Sequence, residues 1–367
     1  MKICYLSNSA IPSDYASSIQ IVKMCEAFSK LGNNVTLISR GDNKNKSIFK
    51  YYDIESKFTI KILKNFKTFP LGIKYYFFSI ISIYKSLKYK PEMYITRNFF
   101  TCFLLILFKK NLILELHDSL ESESRITRFL VKSIKYLNSK YIKKMIAITH
   151  KVKNIYVNNY SVNEDKILVL PSGSALKKNF FFKNYKKQFK IGYFGALNVS
   201  RGLNIICNLA KIDKKNRYYI YGNIKKLKNY KKYYFVKNLF LRNYVPYKEI
   251  LKELSKMDIL LMPYASSVAV AGIGNPNYTS PLKLFDYLSA GKIIICSDLE
   301  ILKEAIKENK NAIFVKNFTN VYSWKNEIKK LQYQPNKQLI ISKNNHKLSE
   351  HYSLIHRAKR ILKEIKF

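Results

Sequence analysis

The stretch SPLKLFDYLSAGK (280–292), followed at once by Ile293, Ile294 and Ile295, holds the reading on which the fold turns. Ser280 and Pro281 suit a helix N-cap and first helical position, where the missing proline N–H costs nothing. Leu284, Tyr287 and Leu288 share one helical face, widened by Leu282, Phe285 and Ala290. Gly291 ends the helix, and the apolar run behind it predicts a buried strand. Upstream, AGIGNPNYTS (271–280) holds too many turn formers for a regular element and predicts a loop leading to a helix start, where anions are favoured. Lys283 and Asp286 stand three residues apart in the first two turns. They can seat a phosphate and sugar hydroxyls, or be solvated charges on an ordinary capped helix. The stretch alone leaves both readings open.

The same strand and helix grammar extends in both directions. Residues 3–6 predict a strand, and the next helix is capped at Ser17 or Ser18. Ile21, Met24, Cys25, Phe28 and Leu31 give it a helical period, and Gly32 closes it. A strand at 35–39 completes a βαβ unit. Its first loop has no glycine at Ala16, Ser17 and Ser18, so no GxGxxG fingerprint is present. Further strands are predicted at 93–96, 112–116, 145–149 and 167–170, with helices at 99–108, 125–139 and 151–160. His117, directly after the strand at 112–116, stands where open α/β sheets bind ligands. Residues 177–189 are basic and without period, and predict an interdomain linker. The pattern then restarts, with strands at 190–194, 218–221, 259–262, 293–296 and 312–315 and helices at 247–256, 299–307 and 324–331. The tail, 346–367, predicts a C-terminal helix packing back on the first domain.

Composition narrows the function classes. Lys plus Arg number 66 and Asp plus Glu 24, a formal charge of +42 that favours anionic partners. Part of it follows from base composition, since Lys, Asn, Ile, Tyr and Phe share A/T-rich codons. The five cysteines (Cys4, Cys25, Cys102, Cys207 and Cys296) are far apart and predict reduced, buried thiols. Residues 75–84 are apolar and aromatic between Lys74, Lys85, Lys88 and Lys90. They predict either a helix in a membrane interface or a packed helix with snorkelling lysines. Neither this run nor 99–108 reaches the roughly 20 residues needed to span a bilayer. His346, His351 and His356 recur every five residues, on different helix faces, and suit no zinc site. No P-loop or GxSxG elbow occurs. No RRM, KH or helix-turn-helix signature supports nucleic-acid binding.

The second half carries YFGALNVSRGL (193–203), YIYGN (219–223), DILLMPY (258–264), SPLKLFDYLSAGK and DLEILKEAI (298–306) in that order. This resembles the donor domain of GT-B retaining glycosyltransferases of the family-4 type, the glycosyl transferases group 1. NSAIPSDYASSIQIVKMCEAFSKLG (8–32) and LELHDS (114–119) are similar to the opening and the His-bearing loop of the family's acceptor domain. The resemblance implies an α/β protein of two Rossmann-like domains facing each other across a cleft: 1–176 for the acceptor, 190–345 for the donor. It implies retaining, metal-independent transfer of a sugar from a nucleotide-sugar to a glycan or lipid-linked acceptor in surface polysaccharide biosynthesis, with no cofactor. The setting implied is cytoplasmic, peripheral to an anionic membrane, with no nucleic-acid partner.

By that resemblance, Arg201 matches the basic residue after the Gly loop, Lys283 the phosphate-facing lysine, and Asp286 the ribose-binding acid. His117 matches the residue near the donor sugar. Gly195, Ser280 and Leu284 complete the implied donor site, and His117, Arg201 and Lys283 the catalytic set. The family's acid pair is two glutamates eight positions apart, where this chain has Tyr278 and Asp286. The competing readings are another GT-B enzyme, such as a nucleotide-sugar epimerase, and a basic nucleic-acid-binding protein.

Overall fold

The computed structural model describes residues 1–41, 47–64, 71–176, 188–226, 236–265 and 280–365. Most of the expected linker, the loop 271–279 and Tyr278 lie outside the described residues. Two compact units account for the chain: Met1–Ser172 with Leu354–Phe367, and Gly173–Ser353.

The first unit is built on seven parallel strands: β1 (Lys2–Ala10), β2 (Asn34–Gly41), β3 (Thr59–Lys64), β4 (Met93–Thr96), β5 (Leu112–Leu116), β6 (Ile142–Ala147) and β7 (Ile167–Val169). Their order is β3-β2-β1-β4-β5-β6-β7. The second has six: β8 (Lys190–Phe194), β9 (Arg217–Tyr221), β10 (Leu239–Arg242), β11 (Ile259–Met262), β12 (Ile293–Ser297) and β13 (Ala312–Val315). They run in the order β10-β9-β8-β11-β12-β13. Both units are doubly wound about their first strand, so each has a switch point, beside β1 and beside β8. The central strands are buried along their whole length, as β5 (LILEL), β11 (ILLM) and β12 (IIICS) are. Each fully buried Leu or Ile there contributes about 1.5–3 kcal/mol.

Several sequence expectations shift. β3 and β10 were not predicted. Both are edge strands whose short, charged sequences, TIKILK and LFLR, stay largely half-buried or exposed, so they lack a clean apolar signal. β6 runs over Ile142–Ala147 rather than 145–149, because the Thr149 side chain accepts from the Val152 N–H and caps the next helix. The helix expected to reach 139 stops at Ile134, where Lys135 turns left-handed. The first helix, Ala16–Lys30, starts at an N-cap of Tyr15, and the Ser18 hydroxyl donates to the Ala10 carbonyl instead of capping. The helix of 280–292 covers Leu282–Ser289 with Pro281 as its N-cap, so Ser280 lies one residue outside the expected cap. Its end is as expected, with the Gly291 N–H donating to the Leu288 carbonyl. The three histidines fall on separate elements, His346 and His356 half-buried rather than on the surface. All five cysteines are buried and none forms a disulfide.

The helix Leu71–Ser86 is inside out. Ser79, Ser82 and Ser86 are fully buried, and their hydroxyls donate to the carbonyls of Tyr75, Ser79 and Ile83. Outward face Ile73, Phe77, Ile80 and Tyr84, with Leu87 just beyond, all exposed and spaced four and three residues apart. Phe78 and Ile83 anchor the inner face in the core. The helix is packed on one side and exposes apolar side chains on the other. No described helix is long and apolar enough to cross a membrane.

The helix Leu354–Ile365 packs within the first unit, against the helix Ala16–Lys30 and β6. It carries Arg357, 3% exposed, whose Nη1 donates to Glu115 Oε1 at 2.8 Å. Arg97 Nε donates to the other oxygen, Oε2, at 2.9 Å, and the Tyr5 hydroxyl donates there at 2.6 Å. Burial alone would raise the Glu115 pKa, but the charges of Arg357 and Arg97 hold the carboxyl well below the usual range. Removing one partner of such a buried group exposes the others' desolvation cost. We therefore expect Arg357→Ala to destabilise the first unit by roughly 3–5 kcal/mol in urea unfolding. Because the Glu115 pKa is depressed, its contribution should be present above the unfolded carboxyl value and lost as pH falls through the folded one. A cost within about 0.5 kcal/mol, the range of ordinary surface changes, would show that the helix does not depend on this pair.

Candidate functional site

In the second unit the carboxyl end of β8 runs into Gly195, whose N–H continues the ladder to the Tyr221 carbonyl. Gly195 has φ 148°, and a Cβ there would lie 2.6 Å from Lys283 Nζ. Only glycine lets this turn and the lysine head share the space. The next turn, 199–201, is capped by Asn198, whose side-chain oxygen accepts from the Arg201 N–H at 3.0 Å. Gly202, at φ 81°, lies against Pro263, where a Cβ would meet the carbonyl oxygen at 1.9 Å. That close approach brings Arg201 to Tyr264, with its guanidinium carbon 4.8 Å from the ring centroid.

Lys283 comes from the helix Leu282–Ser289 to the same place. Its Nζ lies 4.1 Å from the Tyr193 ring centroid and 5.2 Å from that of Tyr264. The nitrogen is buried and finds no hydrogen-bond partner among the described residues. Burial, with the Arg201 charge adding to it, pushes the ammonium well below the usual lysine range. Two ring faces soften the cost of a buried cation without replacing lost hydrogen bonds. Gly195, Arg201 and Lys283 are thus brought together, with two cations sharing one aromatic wall. An anion is the complement this arrangement lacks.

Asp286 lies one turn further on and faces another way. The Ser174 hydroxyl donates to its Oδ1 at 2.6 Å and the Tyr247 hydroxyl at 3.3 Å. Burial raises its pKa to about 6, against the lowering effect of those two bonds. Ser280 is half-buried ahead of the helix. Leu284, expected among the donor-binding residues, has a buried side chain, 1% exposed, and its N–H donates to the Pro281 carbonyl. Among the described residues no cluster of His, Cys, Asp or Glu side chains is placed to hold a metal ion.

His117 belongs to the first unit, at the carboxyl end of β5. Its Nε2 lies 3.6 Å from Glu115 Oε2, beyond hydrogen-bond reach, and is buried without a partner. Burial and the Arg97 charge push its pKa down to about 4, so the imidazole is neutral near pH 7.

Sequence reasoning missed Tyr193, Tyr264, Ser174 and Tyr247, which wall the second-unit site, and Arg97, Glu115 and Arg357 in the first. Aromatic residues next to a motif read equally well as core. Glu115 did leave a signal, since a carboxylate inside the buried run LILEL requires a cationic partner.

Residues 176–348 match the model of the family described as glycosyl transferases group 1, a range that nearly fills the second unit. No curated protein sequence matches the chain. Among solved structures, the Anabaena protein HepE in complex with UDP is similar over 99% of each chain, at 12% identity and a TM-score of 0.73. A glycosyltransferase from Rickettsia africae is similar over 99% of this chain and 97% of its own, at 14% identity and TM-score 0.71. WaaG, a glycosyltransferase involved in lipopolysaccharide biosynthesis, is similar over 98% and 99%, at 12% and 0.65. The chain therefore has the GT-B fold of two Rossmann-like units, and residues 176–348 match the glycosyl transferases group 1 model.

Proposed function

We propose that this chain transfers a sugar from a nucleotide-sugar to a glycan or lipid-linked acceptor, with retention at the anomeric carbon and no metal or other cofactor. The observation that carries the reading is the buried, unpartnered Lys283 ammonium beside Arg201. A diphosphate satisfies both cations, and its charge grows as the sugar departs, so the two side chains favour the transition state most. The UDP and UDP-glucose in the HepE structures support a nucleotide-sugar as donor. Asp286 is assigned to the nucleotide ribose and His117 to the donor sugar.

Arg201→Ala and Lys283→Ala should each lower kcat/KM by about tenfold or more, since each removes a charge-assisted contact of roughly 1.5–3 kcal/mol. Circular dichroism should not change, and turnover should persist in EDTA. His117→Ala should keep UDP binding and lose turnover. If both cation variants bind UDP as tightly as the parent, the donor assignment is wrong.

The depressed Lys283 pKa yields a second expectation. A bound diphosphate restores the favourable surroundings of the ammonium, so the Lys283 pKa should rise on binding and the complex should take up a proton at pH values between the free and the bound pKa. UDP-glucose, whose diphosphate does not titrate there, is the suitable ligand. Calorimetry in buffers of different ionisation heat should show uptake in the parent and none in Lys283→Ala. Buffer-independent heats would contradict it.

The inside-out helix supports association with an anionic membrane, its apolar stripe entering the interface and Lys85, Lys88 and Lys90 meeting lipid phosphates. Each basic residue contributes about 1 kcal/mol near such a surface. The chain should cosediment with phosphatidylglycerol vesicles and release in high salt. Phe77→Ser with Ile80→Ser should weaken binding, as should Ser at Lys74, Lys85, Lys88 and Lys90. Unchanged sedimentation in both would assign the helix to packing alone.

A further inference from the structure

The first unit holds a cavity of about 590 Å³ at the carboxyl edge of its sheet, lined wholly by its own residues. Three helix starts contribute to its wall: Ser17 and Ser18 of Ala16–Lys30, Asn98 and Phe100 of Phe99–Leu107, and Ser124 and Thr127 of Arg125–Ile134. Each brings the positive end of a helix dipole, which favours an anion, while the Thr101 and Thr127 N–H groups are already taken by the Asn98 and Ser124 caps.

Side-chain charge points the same way. Arg40 and Arg97 both line the cavity. Arg97 donates through Nε to Glu115 and to the Tyr5 hydroxyl, yet its Nη2 is buried without a partner. Glu115 is already shared with Arg357, whose own Nη2 is buried and unpartnered as well. One carboxylate against two guanidiniums leaves a net positive charge that arginine cannot shed by losing a proton. Among the described residues the one acid lining the cavity is Glu123, against Arg40 and Arg97.

The rest of the wall is built for a sugar. Tyr75, Tyr76 and Phe100 line it, with the Tyr76 and Phe100 rings edge to face at 4.5 Å. Serine and threonine hydroxyls and the Glu123 carboxyl supply partners for sugar hydroxyls.

We propose that this cavity is the acceptor site, and that the acceptor is an acidic saccharide: its phosphate or carboxylate is held by Arg40 and Arg97, and its ring rests on Tyr75, Tyr76 and Phe100. The assignment rests on the glycosyltransferase reading for the word acceptor, and on this cavity alone for the ligand class.

Calorimetry on the full chain tests it with glucose 1-phosphate, glucuronate, glucose, and a glucosyl polyprenyl phosphate in micelles, with UDP as control. At least one acidic probe should bind about tenfold or more tightly than glucose, the size of one charge-assisted contact. Binding of glucose 1-phosphate or glucuronate identifies a water-soluble acceptor; binding of the micellar probe alone identifies a lipid-linked one. Arg97→Gln and Arg40→Gln should each weaken the acidic probe about tenfold and leave UDP within about twofold. Arg201→Ala should do the reverse. Arg40→Gln stands outside the Glu115 network and reads the site even where Arg97→Gln unfolds. Equal or absent binding of acidic and neutral probes, or acidic binding untouched by Arg40→Gln, overturns the proposal. Loss of UDP binding in the parent would instead overturn the glycosyltransferase reading, with the acidic-probe comparison still standing on its own.

Discussion

Parallel pairing is the constraint from which the rest follows. Strands that all run one way must bury both faces under helices, so apolar residues fill them and polar chemistry is driven to their ends. All carboxyl ends emerge on one edge of each sheet, beside helix starts that carry partial positive charge. In the second unit that edge holds Gly195, Arg201 and Lys283. In the first it holds Arg40, Arg97 and His117. The anion-seeking character of both units is thus set by topology before any single side chain is chosen.

The two units manage their buried cations differently, and the difference is chemical. Lysine can lose a proton, so Lys283 meets burial by a falling pKa and waits for a ligand. Arginine cannot, so Arg97 and Arg357 are tied to an ionised Glu115, and the surplus charge is left to the cavity. His117 stays neutral between them, which keeps a third positive charge out of the cluster. Glycine has an equally specific role. Gly202 brings loop backbone to a distance from the Pro263 carbonyl that any side chain would block, and Gly195 turns at φ 148°, which side-chain-bearing residues rarely adopt.

How much of this was legible follows from how physical signals lie along a chain. The core strands were readable because an apolar run between turn formers has one sensible fate, and 93–96, 112–116, 190–194, 259–262 and 312–315 match to the residue. The edge strands β3 and β10 were not, since a strand with one free edge needs little apolar character. The cluster on the second sheet was legible through Lys283, Arg201 and Gly195, which are adjacent to recognisable punctuation. Its walls were not: Tyr193 and Tyr264 are core-like letters, and only folding turns their faces toward a cation. Arg97 and Arg357 stand 18 and 242 positions from Glu115, so nothing local links the three. The serines of the helix Leu71–Ser86 lie in a segment read as apolar and aromatic, and they form its inner face.

Arg357 also has a place in time. The chain leaves the first unit at Ser172, completes the whole second unit, and returns only at Leu354. During synthesis the first sheet therefore exists with Glu115 and Arg97 in place while the residue that completes their charge balance has yet to leave the ribosome. The second unit, contiguous in sequence, has no such wait. Domains made in order ordinarily fold in order. Here the half that begins first closes its electrostatic cluster only after the second unit has been made, when Arg357 joins Glu115 and Arg97.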